Sequence, residues 1–338
     1  MRKYHDHTDH IVKADKKDRF IGGGMKRLFS LLVIIIVIVP CISFGAEKKR
    51  NSVEMGALYF RQANNFSIQG PARIYNLNSG AEKESTTVPI ALINLNATYG
   101  RNNTLYLKMD IEQMEDRNLF FGTQIPLTDN GNRLDVAVFY SPFAEAWKNP
   151  YETGSDREET DVNKYGMKVA LNEILDTGLN MSIKVAAKDV DDDEIGRLYS
   201  SLGRDGNLYV LSASYRFTPA SALQVYPSVT VRRGGFDGGS NSYKGFGASL
   251  RLMYTCGSVR IIPMIGYTFR NYDETHPLFN TTREDKNYMG AVIATYSDPF
   301  GLENFFIRAF GGYGKTDSNI TFCDEDMKFA GLTVGYTF

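Results

Sequence analysis

The sequence predicts an all-β protein, an antiparallel transmembrane β-barrel of about 14 strands behind a cleaved N-terminal signal peptide. Three observations predict it. After Gly45 no apolar run approaches the ~18 residues of a membrane-spanning helix. Segments of about ten residues alternate instead between apolar and polar or small side chains. The connectors between those segments alternate between tight and long. Composition agrees: 31 Gly, 20 Tyr and 21 Phe against 11 Pro favour strands and turns over helices. A mean hydropathy of −0.28 excludes a bundle of membrane helices but allows a barrel, in which every second residue faces lipid. With Lys+Arg 38 against Asp+Glu 39, the net charge of −1 excludes a nucleic-acid binder driven by bulk positive charge. Three cysteines are too few for a disulfide-stapled scaffold.

Taken in order, residues 1–24 read as an upstream extension rather than translated protein. Gly22-Gly23-Gly24 before Met25 is what a purine-rich ribosome-binding site would encode, and His5, His7 and His10 fall in this extension. Residues 25–45 read as a signal peptide: Lys26 and Arg27, the apolar run Leu28–Val39, then Ser43-Phe44-Gly45 as the cleavage site. Pro40 argues against a lipoprotein signal at Cys41. The barrel occupies 46–338.

The expected strands are 53–61, 88–100, 103–112, 117–125, 133–141, 164–172, 178–188, 207–217, 222–232, 243–254, 257–270, 287–297, 303–314 and 327–338. In 178–188 one face carries Leu179, Met181, Ile183 and Val185 and the other Ser182, Lys184 and Lys188. In 257–270, Val259, Ile261, Ile265 and Tyr267 oppose Arg260, Gly266 and Arg270. A helix cannot carry period two. Pro227 and Pro263 lack a ladder donor and predict bulges or kinks. Connectors at 62–87, 142–163, 189–206 and 271–286 are expected to be long loops, and those near 101–102, 218–221, 255–256 and 298–302 tight turns.

Three stretches carry a family resemblance. They are Trp147-Lys148-Asn149-Pro150-Tyr151-Glu152-Thr153-Gly154 with Arg157–Asp161, Pro277-Leu278-Phe279 with Thr282–Asp285, and Asp317–Ile320. Together they resemble a domain-of-unknown-function family of Gram-negative outer-membrane β-barrel proteins, over about 53–338. The resemblance implies a barrel fold and the cell outer membrane, and no activity. The C-terminal alternation Leu332, Val334, Tyr336, Phe338 resembles the terminal strand that the barrel-assembly machinery recognises, and lipid and lipopolysaccharide are the expected surroundings.

No catalytic, cofactor or metal site is expected, and the chain is read as no enzyme. His276 reads as a solvated loop histidine without a nucleophile. The acidic run Asp189–Glu194 fails the calcium-loop pattern and reads as solvated. The lumen carries the stronger signal. Expected pore-lining residues are Lys108, Lys168, Lys184, Arg216, Arg232, Arg251, Arg260, Arg270 and Arg308, with Lys188. Inward acids are only Asp110, Glu112 and Asp135. A basic lumen favours anions. The expected function is therefore a porin-like channel for small hydrophilic, anionic solutes. A barrel with partner-binding surface loops and a carrier of hydrophobic ligands are the alternatives.

Overall fold

The computed structural model describes residues 51–109, 118–129, 131–141 and 144–338. The extension, the signal peptide and the inward acids Asp110 and Glu112 lie outside them. The strands are β1 (Ser52–Ala63), β2 (Lys83–Tyr99), β3 (Asn103–Met109), β4 (Leu119–Pro126), β5 (Arg133–Tyr140), β6 (Glu145–Trp147), β7 (Glu159–Asn172) and β8 (Leu179–Val190). They continue as β9 (Gly206–Tyr215), β10 (Phe217–Ala220), β11 (Leu223–Phe236), β12 (Tyr243–Cys256), β13 (Val259–His276), β14 (Thr281–Ser297), β15 (Phe305–Ser318) and β16 (Glu325–Thr337).

Every pairing is antiparallel between chain neighbours, and β1 pairs β16, which closes the ring. The short β6 lies off the path, and β9 and β10 both pair β11 as one interrupted stave. Among the described residues fourteen staves close into a barrel, and none of them leaves an exposed edge. Closure is what lets a sheet sit in lipid, because every backbone group finds its partner within the sheet.

The outer surface follows from period two. Ile183, Leu211, Val229, Ile265, Val292 and Leu332 project outward and are exposed. Toward the turn end this apolar band is bordered by Tyr215, Tyr254, Tyr296, Phe305 and Tyr336. Toward the loop end Tyr59, Tyr140, Tyr165, Tyr209 and Tyr313 border it. An apolar band between two aromatic girdles is the outer face of a transmembrane barrel.

Two expectations are refined. The strands run past the lipid band at the loop end: β13 reaches His276 and β14 starts at Thr281, so the expected long loop 271–286 shrinks to 277–280. Beyond the membrane the ladder continues without needing apolar outward residues, so the hydropathy pattern stops before the strand does. Pro263 keeps the register of its neighbours, but the β12–β13 ladder is interrupted between Arg251↔Met264 and Tyr254↔Ile261. At Pro227 the β11 ladder to β12 is unbroken, while the opposite stave breaks between β9 and β10. Each proline therefore opens a ladder on one side, as its missing N–H requires.

Inside, two apolar clusters narrow the lumen. Leu58, Phe60, Leu92, Ile262, Ile293 and Phe310 form one, and Phe120, Ala137, Phe139 and Ala186 the other. Phe310 and Phe306 lie over Gly331 and Gly335 of β16, where a Cβ would come within 2.1 and 2.0 Å of the rings. These glycines leave the space the rings fill.

Candidate functional site: a basic lumen beneath a packed loop layer

The loops at the long-loop end fold onto one another. Tyr151, Ile195, Leu202, Ile320, Phe322 and Cys323 form a buried cluster, with Phe66, Ile74, Leu77, Leu278 and Phe279 packed against it. It joins five loops, and it takes Tyr151, Leu278, Phe279 and Ile320 from the three stretches that carry the family resemblance. Phe66 meets Phe322 edge-on at 5.6 Å, and Tyr151 meets Phe322 at 5.1 Å. Such pairs add about 0.5–1.5 kcal/mol each beyond area burial.

Two arginines tie the layer together. Arg157 is buried and stacks on Trp147 at 4.4 Å. Its Nη1 donates to the carbonyls of Asn65 (2.7 Å) and Pro150 (3.0 Å), and its Nη2 to that of Pro71 (2.5 Å). It thereby bolts loop 64–82 to loop 141–158. Burial lowers its pKa to about 10, with Glu152 opposing. Arg204 donates to Asp193 at 2.6 Å and to the carbonyls of Trp147 and Lys148. Asp193 also caps helix α1 (Glu194–Leu198) by accepting from the Gly196 N–H. The acidic run is therefore structural rather than simply solvated: Asp192 pairs with Lys148 and Arg197.

His276 is buried, 2% exposed, against the expectation of a solvated loop residue. The Leu278 backbone N–H donates to its Nδ1 at 3.3 Å, which leaves Nε2–H to face the Tyr151 hydroxyl at 3.0 Å. Both contacts suit the neutral ring, and burial, reinforced by Arg283, lowers its pKa to about 4. Cys323 is wholly buried and Cys256 exposed at the turn end; neither is in a disulfide. Burial raises the Cys323 thiol to about 12. Burial therefore shields Cys323 from surface reagents.

Below the layer lies a cavity of about 640 Å³. Lys108, Lys168, Lys184, Arg232, Arg251 and Arg270 line it, with Ser182, Ser212, Thr230, Gly247, Ser249 and Thr268 between them. Alternation places all six long cations on inward positions, where small neighbours leave them room. Arg251 lies over the Tyr226 ring at 4.6 Å and Lys184 over Phe139 at 5.4 Å. A second cavity of about 300 Å³ sits against the loop layer, lined by Phe66, Trp147, Tyr151, Tyr243 and Tyr272, with Lys188 beside them.

The other three expected residues lie apart from the main cavity. Arg216 pairs with Glu173 at 2.8 Å beside the turn end. Arg260 is exposed near the start of β13. Arg308 points inward but is held by Glu54 at 2.8 Å, and Glu54 also accepts from the Thr333 hydroxyl. Sequence reasoning missed Glu54 as an inward acid, although the alternation of β1 with Leu58 and Phe60 places it there. Asp135 accepts from the Tyr106 hydroxyl at 2.6 Å. Among the described residues no group of His, Cys, Asp and Glu is arranged to hold a metal ion.

Closed antiparallel staves, an outward apolar band with aromatic girdles and a polar interior define an outer-membrane type of β-barrel. The chain belongs to the DUF2860 family, described as protein of unknown function, whose profile matches residues 50–337. No curated protein matches the sequence significantly. Among solved structures it is similar to the outer-membrane channel DcaP of Acinetobacter baumannii, with 11% identity and a TM-score of 0.40, covering 88% of this chain and 100% of that one. It is similar to OmpT, an outer membrane protein of Vibrio cholerae, with 9% identity and a TM-score of 0.38, covering 87% and 99%. LpxR from Salmonella typhimurium shows 13% identity and a TM-score of 0.39, covering 83% and 100%.

Proposed function

We propose that this barrel is an outer-membrane channel that admits small hydrophilic anions, with the loop layer as its outer cover at the cell surface. The observation that carries the reading is the cavity lined by seven Lys and Arg side chains, Lys315 among them, against the two acids Glu325 and Asp326, within a low-dielectric wall. Charge of one sign in such a lumen concentrates the opposite ion. On this reading the termini face the periplasm, the strand ending in Phe338 is the part read by the assembly machinery, and lipid and lipopolysaccharide surround the band. His276, neutral and locked between Leu278 and Tyr151, is a packing group rather than a catalytic one. The packed loop layer favours a second reading, a structural barrel presenting a rigid surface to a partner.

Planar-bilayer recording separates the two. The channel reading expects steady currents with a reversal potential on the anion side under a KCl gradient. Lys168→Glu with Arg251→Glu should move that potential toward cations. Silence from the folded protein supports the structural reading, and an unmoved potential in a conducting double variant refutes the role of the lumen cations.

A further inference from the structure

We propose that the cavity beneath the loop layer binds a small aromatic carboxylate, with the Lys188 ammonium taking the carboxylate and the rings around it taking the body. Phe66, Trp147 and Tyr151 line this cavity from the loop layer, and Phe236, Tyr243 and Tyr272 from the loop ends of β11, β12 and β13. Tyr243 meets Phe236 at 6.3 Å and Tyr272 at 5.5 Å, so the wall side is a continuous run of rings. Phe66 meets Tyr151 edge-on at 5.9 Å on the side of the layer. A flat ring can stack on or meet edge-on the rings of both sides, which an alkyl chain cannot. At about 300 Å³ the cavity stands at the small end of ligand sites, which suits a one-ring ligand rather than a lipid chain. Glu325 lines both cavities, so this one adjoins the lumen.

Most polar groups of this cavity are committed to the protein. The Trp147 Nε1–H donates to the Ser67 carbonyl, Asn241 Nδ2 to the Leu202 carbonyl and the Tyr272 hydroxyl to Asp285. Arg204 is paired with Asp193 and Arg283 with Asp285, and Glu325 accepts from Asn64 and Thr316. A sugar or other polyol would find few groups to bond.

Lys188 differs. It follows Ala187, the register partner of the girdle residue Tyr165, and so stands just past the lipid band. Among the described residues no hydrogen bond or ion pair holds its ammonium, which lies over the Phe236 ring at 5.6 Å. The carboxylates whose field reaches it have other partners: Asp193 is held by Arg204 at 2.6 Å, and Asp205 accepts from the Val190 N–H at 2.8 Å. Burial, reinforced by Arg204, pushes the amine down to about 8, whereas a carboxylate in contact would push it up. A buried charge without a counter-ion is costly, and an entering carboxylate relieves that cost. The site offers one charged anchor in an aromatic enclosure, which is the complement of an aryl carboxylate.

The proposal goes beyond the channel reading and holds for a conducting or a silent barrel. Isothermal titration of the detergent-solubilised full chain uses benzoate, with acetate as the charge without the ring and benzamide as the ring without the charge. Saturable benzoate binding is expected, with acetate and benzamide each at least about tenfold weaker, since each lacks one of the two contacts. Trp147, the sole tryptophan of the chain, lines the cavity, so its fluorescence should change in step with benzoate binding. Lys188→Met keeps an apolar stem over Phe236 and should weaken benzoate by about tenfold or more while leaving benzamide unchanged. Lys188→Arg, which keeps the charge, should retain most of the binding. Heat-modifiable gel mobility confirms a folded barrel for each variant. No benzoate binding by the folded wild type, equal affinity in folded Lys188→Met, acetate as tight as benzoate, or binding without a change at Trp147 overturns the site. Benzoate binding by a barrel that carries no current removes the channel reading and leaves the site standing; current without benzoate binding does the reverse.

Discussion

Arg157→Ala should unlatch the loop layer without unfolding the barrel. The side chain is 2% exposed and makes three hydrogen bonds of 3.0 Å or less to carbonyls of two loops. Each bond from a charged donor contributes about 1.5–3 kcal/mol, and each carbonyl orphaned by its loss costs a comparable amount. The cation–π contact with Trp147 adds about 1 kcal/mol. Against this stands the desolvation of a guanidinium that only the field of Glu152 opposes among the described residues. A net loss of about 3–4 kcal/mol follows, a change of about 10²–10³ in the population of the opened layer. Cys323 reports that opening, because it is fully buried in the same layer. In a Cys256→Ser background, a membrane-impermeant maleimide should label Cys323 slowly in the parent and about a hundredfold faster in Arg157→Ala. The barrel should keep its heat-modifiable mobility, since Arg157 touches no stave in the lipid band. Equal labelling rates in a folded variant would refute the latch, and rapid labelling of the parent would refute the layer itself.

Acid should loosen the same layer. The His276 value of about 4 in the fold lies below its ordinary 6.5, so its neutral-ring contribution is complete above about pH 6.5 and is lost as pH falls toward 4. The full effect is about 3 kcal/mol; Cys323 reactivity toward 4,4′-dithiodipyridine should rise over that window in the parent but not in His276→Gln. Ile265→Arg should cost about 2–4 kcal/mol in refolding into lipid bilayers, and Gly266→Arg much less, because the first side chain is 62% exposed on the outer face and the second points into the lumen. Equal costs would contradict the assignment of faces. Gly335→Ala should lower thermal stability by about 1–3 kcal/mol by displacing the Phe306 ring, and Gly335→Ala combined with Phe306→Leu should recover part of it.

The barrel was legible because lipid imposes a rule that the sequence must write out residue by residue. Ile265 outside and Gly266 inside are neighbours, and period two shows at a glance which is which. The same rule pointed inward to Lys108, Lys168, Lys184, Arg232, Arg251 and Arg270. It failed where lipid no longer acts. The loop ends of β13 and β14 stay paired, across a register shift between Asn271 and Thr275, but drop the apolar face, so they read as loop. The loop layer had no periodic signal at all: His276 meets Tyr151 across 125 positions and Asn65 meets the Phe322 carbonyl across 257. Contacts at such separations follow from the closed ring bringing loop ends together, which only the folded barrel does. Compositional bias was the available hint. Trp147 is the sole tryptophan of the chain, and an aromatic so placed in a long polar connector asks for a burial site.

The charge arrangement shows how the two halves of the molecule depend on each other. A chain of net charge −1 can hold a basic lumen only if its acids sit elsewhere. If the loop carboxylates reached down to the lumen cations, the interior would be a neutral packed core. Four acids of the loop end have partners within their own layer. Asp193 is held by Arg204, Asp192 by Lys148 and Arg197, Asp156 by Arg73 and Asp285 by Arg283. Arg204 and Arg283 are 12% exposed at their side chains, so these two pairs are screened little by solvent and hold their acids firmly. The loop layer thus does two things with one set of contacts. It covers the mouth, and it holds Asp156, Asp192, Asp193 and Asp285 in pairs within the layer. On the channel reading, breaking it changes access first, and the carboxylates it releases above the cavity change the field that an entering anion would meet.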